Sequence, residues 1–406
     1  MNQNDIVITS ACRTPFGRYG GSLKDMDYFD LGAIPMREVL RRVGLDPASG
    51  VVEEVYWGVG DTSACKDVFT PVAARQTLLK AGLPPTTPST SLDKACVSAM
   101  SAVKLGCTGI KAGEIRVAIG GGATSFSQEP LILRRLRFDG FRLGNVVMED
   151  PLFELGYKDF APVAVDAGNV ALKHGVTREQ QDEWAVRSHQ KYGEAWAAGK
   201  FQEEMIRLEI PQKKGGPKVL EIDEQYRADT TLEKLAKLPP IYGSPTCTAG
   251  NAPGLNDGAA AILIMTRGRA AELGLSPLAT IVSMVSIATE PSLIAETPAY
   301  AIQKALRLAD LTLDDIAIIE INEAFAAMPL VSTKLLADGD AAKLALLREK
   351  TNINGSAIAI GHANAASGAR IMMNLVYELR RRGGGYAAGA ICGGLGQGDA
   401  CILRVD

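Results

Sequence analysis

Two distant stretches of the chain repeat one order of apolar and polar positions. The first, from Ile34, reads IPMREVLRRVGLDPASGVVEEVYWGVG, and the second, from Thr297, reads TPAYAIQKALRLADLTLDDIAIIEINEAF. In each, apolar residues recur at helical spacing up to a leucine (Leu45, Leu311), a turn with proline or aspartate follows, and an apolar run rich in β-formers comes next. The pattern predicts an amphipathic helix and a buried strand, twice, and therefore a duplicated unit.

Further apolar runs at 117–119, 316–321 and 388–391 lack strict alternation and are interleaved with helical periods. Such runs are typical of a sheet that helices cover on both faces. We therefore expect an α/β fold made of two related halves.

The segment at about 126–250 differs from both halves. It is richer in charge and contains LILRRLRFDGFRLG and IPQKKGGPK, which indicates an inserted lid or excursion. Thr177-Arg-Glu-Gln180 is a capping-box pattern that predicts a helix running toward Ala198, so the insertion is folded. The predicted boundaries are 1–125 for the first half, completed by about 251–276, then 126–250 for the insertion and 277–406 for the second half.

Composition excludes several classes of protein. The chain has 406 residues, 47% of them apolar and 22% charged, and a net charge of −3, which offers no bulk attraction for nucleic acid or anionic membranes. Its seven cysteines are odd in number and lack metal-ligand spacing, which favours a reducing compartment without structural zinc. The start, MNQNDIVITSACRTPFG, lacks the basic and apolar regions of a signal peptide, and no stretch is long enough to span a bilayer, so we expect a cytoplasmic protein.

Three reactive side chains lie in runs of small residues: Cys96 in KACVSAMSA, His362 in AIGHANAASGAR and Cys392 in AICGGLGQG. A thiol that forms a thioester, a second acid-base thiol and an imidazole together suit covalent acyl transfer. Cys96 should begin a helix that continues to Gly106, where backbone N–H groups favour thiolate. His362 should follow an apolar strand and precede a helix of small residues. For each residue taken alone, a buried structural role is a serious alternative.

The repeat favours a catalytic role for these three residues over a buried structural role. Cys96 and His362 are separated by the same number of positions as Leu45 and Leu311, so they fall at equivalent points of the two halves. The segment AICGG of the second half corresponds to AIGGG of the first half, and Cys392 stands at the position equivalent to Gly120. The three residues are therefore predicted to form one site.

Other candidates are weaker. Asn322 follows a buried strand and is either a strand-end cap or an orienting donor. The glycines after Cys392, which include Gly394, form either a tight turn or an oxyanion hole. His174 and His189 are expected at the surface. Six basic residues of the insertion could meet the phosphates of a nucleotide-bearing ligand, although a solvated charged face is the alternative: Arg134, Arg135, Arg137, Lys213, Lys214 and Lys218.

Six blocks together resemble the thiolase family, whose members cleave or form 3-ketoacyl-CoA thioesters. They are RTPFGRYGGSL, DKACVSAMSAVKLG, CTAGNAPGLNDGAAA, NEAFA, NINGSAIAIGHANAASGAR and CGGLGQG, in that order over nearly the whole chain. The resemblance implies a five-layered αβαβα arrangement with an inserted loop domain that holds CoA. It also implies CoA as co-substrate without a permanent cofactor or metal, and a homodimer or homotetramer.

The resemblance assigns roles to individual residues. Cys96 would become acylated, His362 would take its proton and later activate CoA, and Cys392 would protonate or deprotonate the α-carbon of acetyl-CoA. Asn322 would hold a water that, with His362, stabilises the thioester enolate. The backbone N–H groups of Cys96 and Gly394 would form a second oxyanion hole. The predicted contacts with CoA are at Ala252, Pro253 and Gly254.

Several positions depart from the family pattern. Ala363 stands where proline is usual, Pro253 where serine is frequent, and Thr124 where glutamate is usual. Pro162, Val163 and Ala164 replace a common His-Met-Gly that lines the acyl pocket. We therefore expect an altered acyl group, bulkier or more polar than acetoacetyl.

The leading hypothesis is a thiolase of fatty-acid or aromatic-acid degradation. One alternative is a Claisen-condensing synthase of the same superfamily, against which the second thiol, Cys392, argues. The other is a partner-dependent subunit of an acyl-CoA oxidation complex, which the altered CoA contacts keep open.

Overall fold

The computed structural model of the chain describes residues 2–60, 72–133, 136–153, 157, 159–212 and 214–406. Its strands are β1 (Ile6–Arg13), β2 (Gly17–Arg18), β3 (Glu54–Val59), β4 (Ser89–Leu92), β5 (Val117–Thr124), β6 (Leu208–Ile210), β7 (Lys218–Leu220), β8 (Asn256–Thr266), β9 (Ala279–Ala288), β10 (Ile316–Ile321), β11 (Gly385–Gly393) and β12 (Gln397–Val405). Its helices are α1 (Tyr28–Arg41), α2 (Ala73–Ala81), α3 (Ser98–Ala112), α4 (Leu136–Asp139), α5 (Val163–Lys173), α6 (Arg178–Ala197), α7 (Leu232–Ala236), α8 (Arg267–Glu272), α9 (Thr297–Ala309), α10 (Ala327–Ala337), α11 (Ala341–Glu349), α12 (Ala357–Ile360) and α13 (Asn364–Arg381).

The main sheet has the strand order β10-β11-β12-β9-β1-β8-β5-β3-β4, and β2 pairs with β8. Its two halves mirror each other, because β3–β5 and β10–β11 are parallel pairs while β5–β8 and β11–β12 are antiparallel pairs. The halves meet where β1 and β9 pair, with Val7 opposite Thr280 and Ile8 opposite Ala279. The duplication predicted from the hydrophobic repeat is therefore present in the strand order.

Five layers result from this topology. Helices α1 and α2 cover one outer face, α9 and α10 cover the other, and α3 and α13 pack together between the two halves of the sheet. The central pair approaches closely because glycine leaves room: a Cβ on Gly368 would lie 2.5 Å from the backbone nitrogen of Met100. The α/β fold with an αβαβα arrangement is confirmed.

The insertion is anchored to both halves by buried polar groups. Arg13 of β1 forms ion pairs with Glu204 and Asp223, each at 2.7 Å and each with the arginine side chain fully buried. From the other half, Glu323 accepts hydrogen bonds from Nε1 of Trp184 at 2.8 Å and from Oγ of Ser188 at 2.7 Å. These contacts fix α6 against the strand end that carries Asn322.

Local predictions had mixed outcomes. Residues 316–321 form β10 as expected, and Thr177 with Gln180 makes the predicted capping box at the start of α6. The helix after Cys96 was expected to end near Gly106 but continues to Ala112. Gly106 lets α3 pack closely on β8, since a Cβ there would lie 2.9 Å from Cδ1 of Ile264.

The strand expected before His362 was wrong. Residues 357–360 form the one-turn helix α12, and only a single bridge to Leu255 marks extended backbone at His362. Among the described residues, no helix has the length and apolar character needed to cross a membrane.

Candidate active site

Cys96 lies in a single helical turn, residues 95–97, between β4 and α3. Ala95 adopts a left-handed conformation with φ of 49°, which costs a residue with a Cβ about 1–2 kcal/mol. The turn is held by Ser98, whose Oγ accepts from the Lys94 backbone N–H at 2.8 Å and donates to the Ala95 carbonyl at 2.6 Å. The thiol is thereby fixed, half-buried, at the start of α3.

The Cys96 thiol is protonated at neutral pH. Burial raises its pKa to about 12, against the opposing effect of a backbone N–H, and the nearby Asp93 carboxylate raises the pKa further. The sequence predicted a thiolate favoured by the helix start, whereas burial outweighs the backbone hydrogen bond that lowers the pKa. A nucleophile in this state needs an adjacent base.

His362 has the properties of that base. Its Nδ1 lies 2.7 Å from Oγ of Ser367, and this hydroxyl donates its own proton to the Ala363 carbonyl at 3.0 Å. The hydrogen-bond network therefore assigns the proton to Nδ1 and leaves Nε2 unprotonated. Burial, with the Arg370 guanidinium second, lowers the pKa of His362 to about 3, so the imidazole is neutral at working pH.

Asn322 contacts the same imidazole. Its Nδ2 lies 3.4 Å from Nε2 of His362, and its Oδ1 accepts a hydrogen bond from Nη2 of Arg370 at 3.0 Å. Of the two readings left open by the sequence, this geometry supports the orienting donor.

Arg370 also forms a buried ion pair with Glu320, to which Ser356 donates a hydrogen bond at 2.6 Å. Burial raises the pKa of Glu320 to about 7, although Arg370 and Ser356 act to lower it. Sequence reasoning missed Arg370, Glu320, Ser356 and Ser367. One signal was available: Glu320 is the only charged residue in the apolar run IAIIEI.

Cys392 and Gly394 lie at the β11–β12 turn. Cys392 is buried, and burial followed by the neighbouring Cys96 raises the pKa of its thiol well above the ordinary range. A Cβ on Gly393 would lie 3.0 Å from Cγ1 of Val97, and one on Gly394 would lie 3.2 Å from Cβ of Ala95. The turn therefore packs directly on the segment that carries Cys96, while α13, which follows His362, packs against the same segment.

The predicted CoA-contact residues precede β8. Ala252 is buried, Pro253 is half-buried and Gly254 is exposed. The chain then bridges His362 at Leu255, and Oδ1 of Asn256 accepts from the His362 backbone N–H at 2.8 Å. The three residues thus approach the site from the side of the imidazole.

The positions that depart from the usual pattern also lie in described parts of the chain. The Thr124 hydroxyl lies 2.7 Å from Oδ1 of Asn364 and accepts from the Ala365 N–H at 3.0 Å, which ties the end of β5 to the start of α13. Pro162 caps α5, whose residue Ala164 is buried.

The remaining histidines are not surface residues, contrary to expectation. His189 is buried, its Nδ1 accepts from the Arg227 backbone N–H at 3.3 Å, and burial lowers its pKa to about 4. His174 is half-buried, with Nε2 2.8 Å from Glu296. A long amphipathic helix buries one face even in a charged insertion, and His189 lies on that face of α6.

Of the six basic residues, Arg137, Lys214 and Lys218 are exposed. Arg134, Arg135 and Lys213 lie outside the described residues. In the described part of the chain no group of His, Cys, Asp or Glu side chains could hold a metal ion.

Residues 6–268 match the family pattern described as "Thiolase, N-terminal domain", and residues 275–405 match "Thiolase, C-terminal domain". The chain belongs to the thiolase family. The family predicted from the six blocks is confirmed, and with it the class of acyltransferase.

Relatives and solved structures of thiolases match along nearly the whole chain. A protein of Mycolicibacterium smegmatis named "Probable acetyl-CoA acetyltransferase" is 42% identical over 98% of this chain and 100% of its own. The mitochondrial 3-ketoacyl-CoA thiolase of Pongo abelii is 38% identical, with 98% of each chain covered. The crystal structure of human mitochondrial 3-ketoacyl-CoA thiolase in complex with CoA superimposes with a TM-score of 0.91 at 37% identity, covering 100% of this chain and 98% of that one.

Proposed function

We propose that this thiolase transfers an acyl group between a 3-ketoacyl-CoA and CoA through an acyl-Cys96 intermediate. The observation that carries the proposal is the pairing of charge states: a protonated, half-buried Cys96 thiol and a neutral His362 whose Nε2 carries no proton. Such a pair generates thiolate only when the proton moves to the imidazole, which suits a nucleophile that must stay unreactive until substrate arrives.

In the first step, His362 takes the Cys96 proton and the sulfur bonds to C3 of the 3-ketoacyl-CoA. The C2–C3 bond then breaks, and Cys392 gives its proton to C2 of the departing acetyl-CoA. A thiol with a raised pKa suits this role, because it is protonated before the reaction and is readily protonated again after it has given its proton to C2. The proton held by His362 restores Cys392 and leaves the imidazole neutral.

In the second step, His362 takes the proton of an incoming CoA thiol, whose sulfur attacks the acyl-Cys96 thioester and displaces Cys96. The displaced thiolate takes the proton back from His362. The backbone N–H groups of Cys96 and Gly394 are proposed to hold the thioester oxygen. Asn322 is proposed to hold a water that, with His362, stabilises the enolate of the first step.

CoA is proposed to contact Ala252, Pro253 and Gly254, beside His362. The CoA complex of the human relative supports CoA as the co-substrate. We further propose that the protein is a homodimer or homotetramer. A cytoplasmic location is also proposed, and the odd number of cysteines supports it. The acyl group is proposed to differ from acetoacetyl, since Pro162, Val163 and Ala164 stand where His-Met-Gly is common in the family.

The decisive experiment incubates the purified chain with CoA and a series of 3-ketoacyl-CoA thioesters. Thioester cleavage is followed by absorbance, and the acyl adduct is located by mass spectrometry of peptides. Cys96→Ala should lose both the adduct and turnover, with kcat reduced by about 10⁴-fold or more. Cys107→Ala is the matched control, because this buried cysteine lies on the adjoining helix α3.

Cleavage of no thioester by the wild type, alone or with an added partner subunit, would refute the enzyme. Turnover that survives in Cys96→Ala would refute the assigned nucleophile. Condensation with loss of CO₂, in place of thiolysis, would favour the Claisen-condensing synthase.

A further inference from the structure

Tyr157 of the insertion lies against the catalytic turn. A Cβ built on Gly394 would overlap the Tyr157 hydroxyl oxygen and would lie 2.8 Å from its Cζ. The same Cβ would lie 3.2 Å from Cβ of Ala95, the residue that precedes Cys96. The phenol therefore occupies the space directly beside the proposed N–H donor Gly394.

The Tyr157 phenol lies within electrostatic range of both reactive thiols. Burial raises the pKa of Tyr157 above its ordinary range, and Cys96, Asp93 and Cys392 raise this pKa further, in that order. The hydroxyl is thus protonated at any working pH and remains a hydrogen-bond donor. It has no hydrogen-bond partner among the described residues, and the side chain is half-buried.

We propose that Tyr157 determines acyl specificity by donating a hydrogen bond from its hydroxyl to an oxygen of the acyl group carried on Cys96. The inference rests on the proposed function and adds a substrate class to it. The phenol fills space beside Gly394, next to the turn that carries Cys96. The same phenol presents a donor that an unsubstituted alkyl chain leaves unpaired.

The acyl groups that fit this arrangement are short and carry a neutral oxygen, such as a hydroxyl or a second keto group. A negatively charged group suits the site less, because Asp93 and the two thiols offer it no positive charge. Between a bulkier and a more polar acyl group, Tyr157 favours the more polar one.

The test compares pairs of 3-ketoacyl-CoA thioesters of equal chain length, one plain and one with a hydroxyl on the acyl chain. Three pairs move the hydroxyl by one carbon each. Wild type should prefer the hydroxylated member of at least one pair by about tenfold in kcat/KM, as expected for one neutral hydrogen bond. Tyr157→Phe should abolish that preference, chiefly by lowering kcat/KM for the hydroxylated member.

Tyr157→Leu removes the same hydroxyl by a different substitution and should lose the same preference. Tyr242→Phe is the control: this tyrosine lies edge-on to Phe153 and is 40% exposed. It should keep the wild-type ratio.

Equal ratios for wild type and Tyr157→Phe would overturn the inference, and so would an equal fall for both members of a pair, which a structural role would produce. These results require turnover by the wild type. Absence of turnover with every thioester would instead refute the proposed function itself.

Discussion

Arg370 donates a hydrogen bond from Nη2 to Oδ1 of Asn322 over 3.0 Å. The amide is thereby oriented with Nδ2 toward Nε2 of His362, at 3.4 Å. Because the other guanidinium nitrogen, Nη1, pairs with Glu320, one buried cation links β10, α13 and the imidazole. Arg370 is a positioning residue, acting on the reaction through Asn322.

Arg370→Lys should preserve the charge beside Glu320 but lose the second arm of the planar fork. Loss of one hydrogen bond to a charged group, worth about 1.5–3 kcal/mol, should lower kcat by about 10–100-fold. KM should change little, since Arg370 is not expected to touch substrate. Steady-state kinetics with the best 3-ketoacyl-CoA measure the split.

Arg381→Lys is the control for that substitution. Arg381 lies in the last turn of the same helix, eleven positions after Arg370, and bonds to Glu378. A kcat for Arg370→Lys within twofold of wild type would remove Arg370 from the positioning network.

The resting state of Cys96 predicts a distinctive pH dependence. Only thiolate reacts with iodoacetamide, and a pKa raised to about 12 keeps the thiolate fraction small. Between about pH 6 and 9 the alkylation rate of free enzyme should therefore rise about tenfold per pH unit. Because the pKa of His362 is lowered to about 3, the imidazole stays neutral and no inflection should appear near its ordinary value.

Mass spectrometry of the Cys96 peptide measures this rate, and Cys96→Ala gives the background from other thiols. A plateau between pH 7 and 8 would contradict the prediction, because it would mean that a thiolate–imidazolium pair exists in the free enzyme.

The sequence predicted most of the site because its signals are local. Cys96, His362 and Cys392 each stand out in a run of small residues, and the repeat relates Cys96 to His362. The strand expected before His362 failed because AIAI is short and apolar, a pattern that fits a buried strand or a buried helical turn equally well.

The positioning residues could not be predicted in the same way. Arg370 reaches Asn322 and Glu320 only because α13 packs beside β10, and neither periodicity nor spacing contains that contact. Tyr157 likewise reaches Gly394 from a segment distant along the chain. Buried polar partners are set by tertiary packing, so a single sequence reveals the residue type but not its neighbour.

The ion pair Lys94–Asp399 joins the nucleophile turn to β12. Its atoms lie 2.7 Å apart, Asp399 is buried, and the Lys94 side chain is 21% exposed. Lys94→Met should lower the free energy of unfolding by about 3 kcal/mol, because it leaves a buried carboxylate without its cation. The double variant Lys94→Met with Asp399→Asn should recover part of that loss. Urea unfolding followed by circular dichroism measures both.

Lys80→Met is the matched control. Lys80 pairs with Asp30 at the same 2.7 Å, but its side chain is 42% exposed and that of Asp30 is 57% exposed. This variant should change the free energy of unfolding by less than about 1 kcal/mol. Equal effects at the two sites would show that burial of Asp399 does not set the strength of the pair.

Gly394→Ala should reduce kcat because the new methyl group meets the Tyr157 phenol. Gly394 does not have the positive φ that would strain alanine, so the cost is steric. Tyr157→Ala should therefore restore part of the activity lost in Gly394→Ala, and the two substitutions should be coupled by about 1 kcal/mol or more. A double-mutant cycle in kcat/KM with a plain substrate measures the coupling. Strictly additive effects of the two substitutions on kcat/KM would show that Gly394 and Tyr157 do not contact each other.

Ala363→Pro should stabilise the chain without loss of activity. Ala363 has φ of −73°, which suits proline, and it directly precedes α13, where a missing N–H is tolerated. His362 before it is extended enough to form a bridge with Leu255, as the residue before a proline prefers. The unfolded chain loses freedom, so the free energy of unfolding should rise by about 0.4–1 kcal/mol.

Ala365→Pro, two residues later, is the control. It removes the N–H from which the Thr124 hydroxyl accepts a hydrogen bond at 3.0 Å, and it should destabilise the chain instead. Thermal unfolding of both variants measures the two effects. A lower unfolding midpoint for Ala363→Pro than for wild type would contradict the prediction. It would mean that proline strains the backbone at His362 and that alanine preserves the geometry of the imidazole.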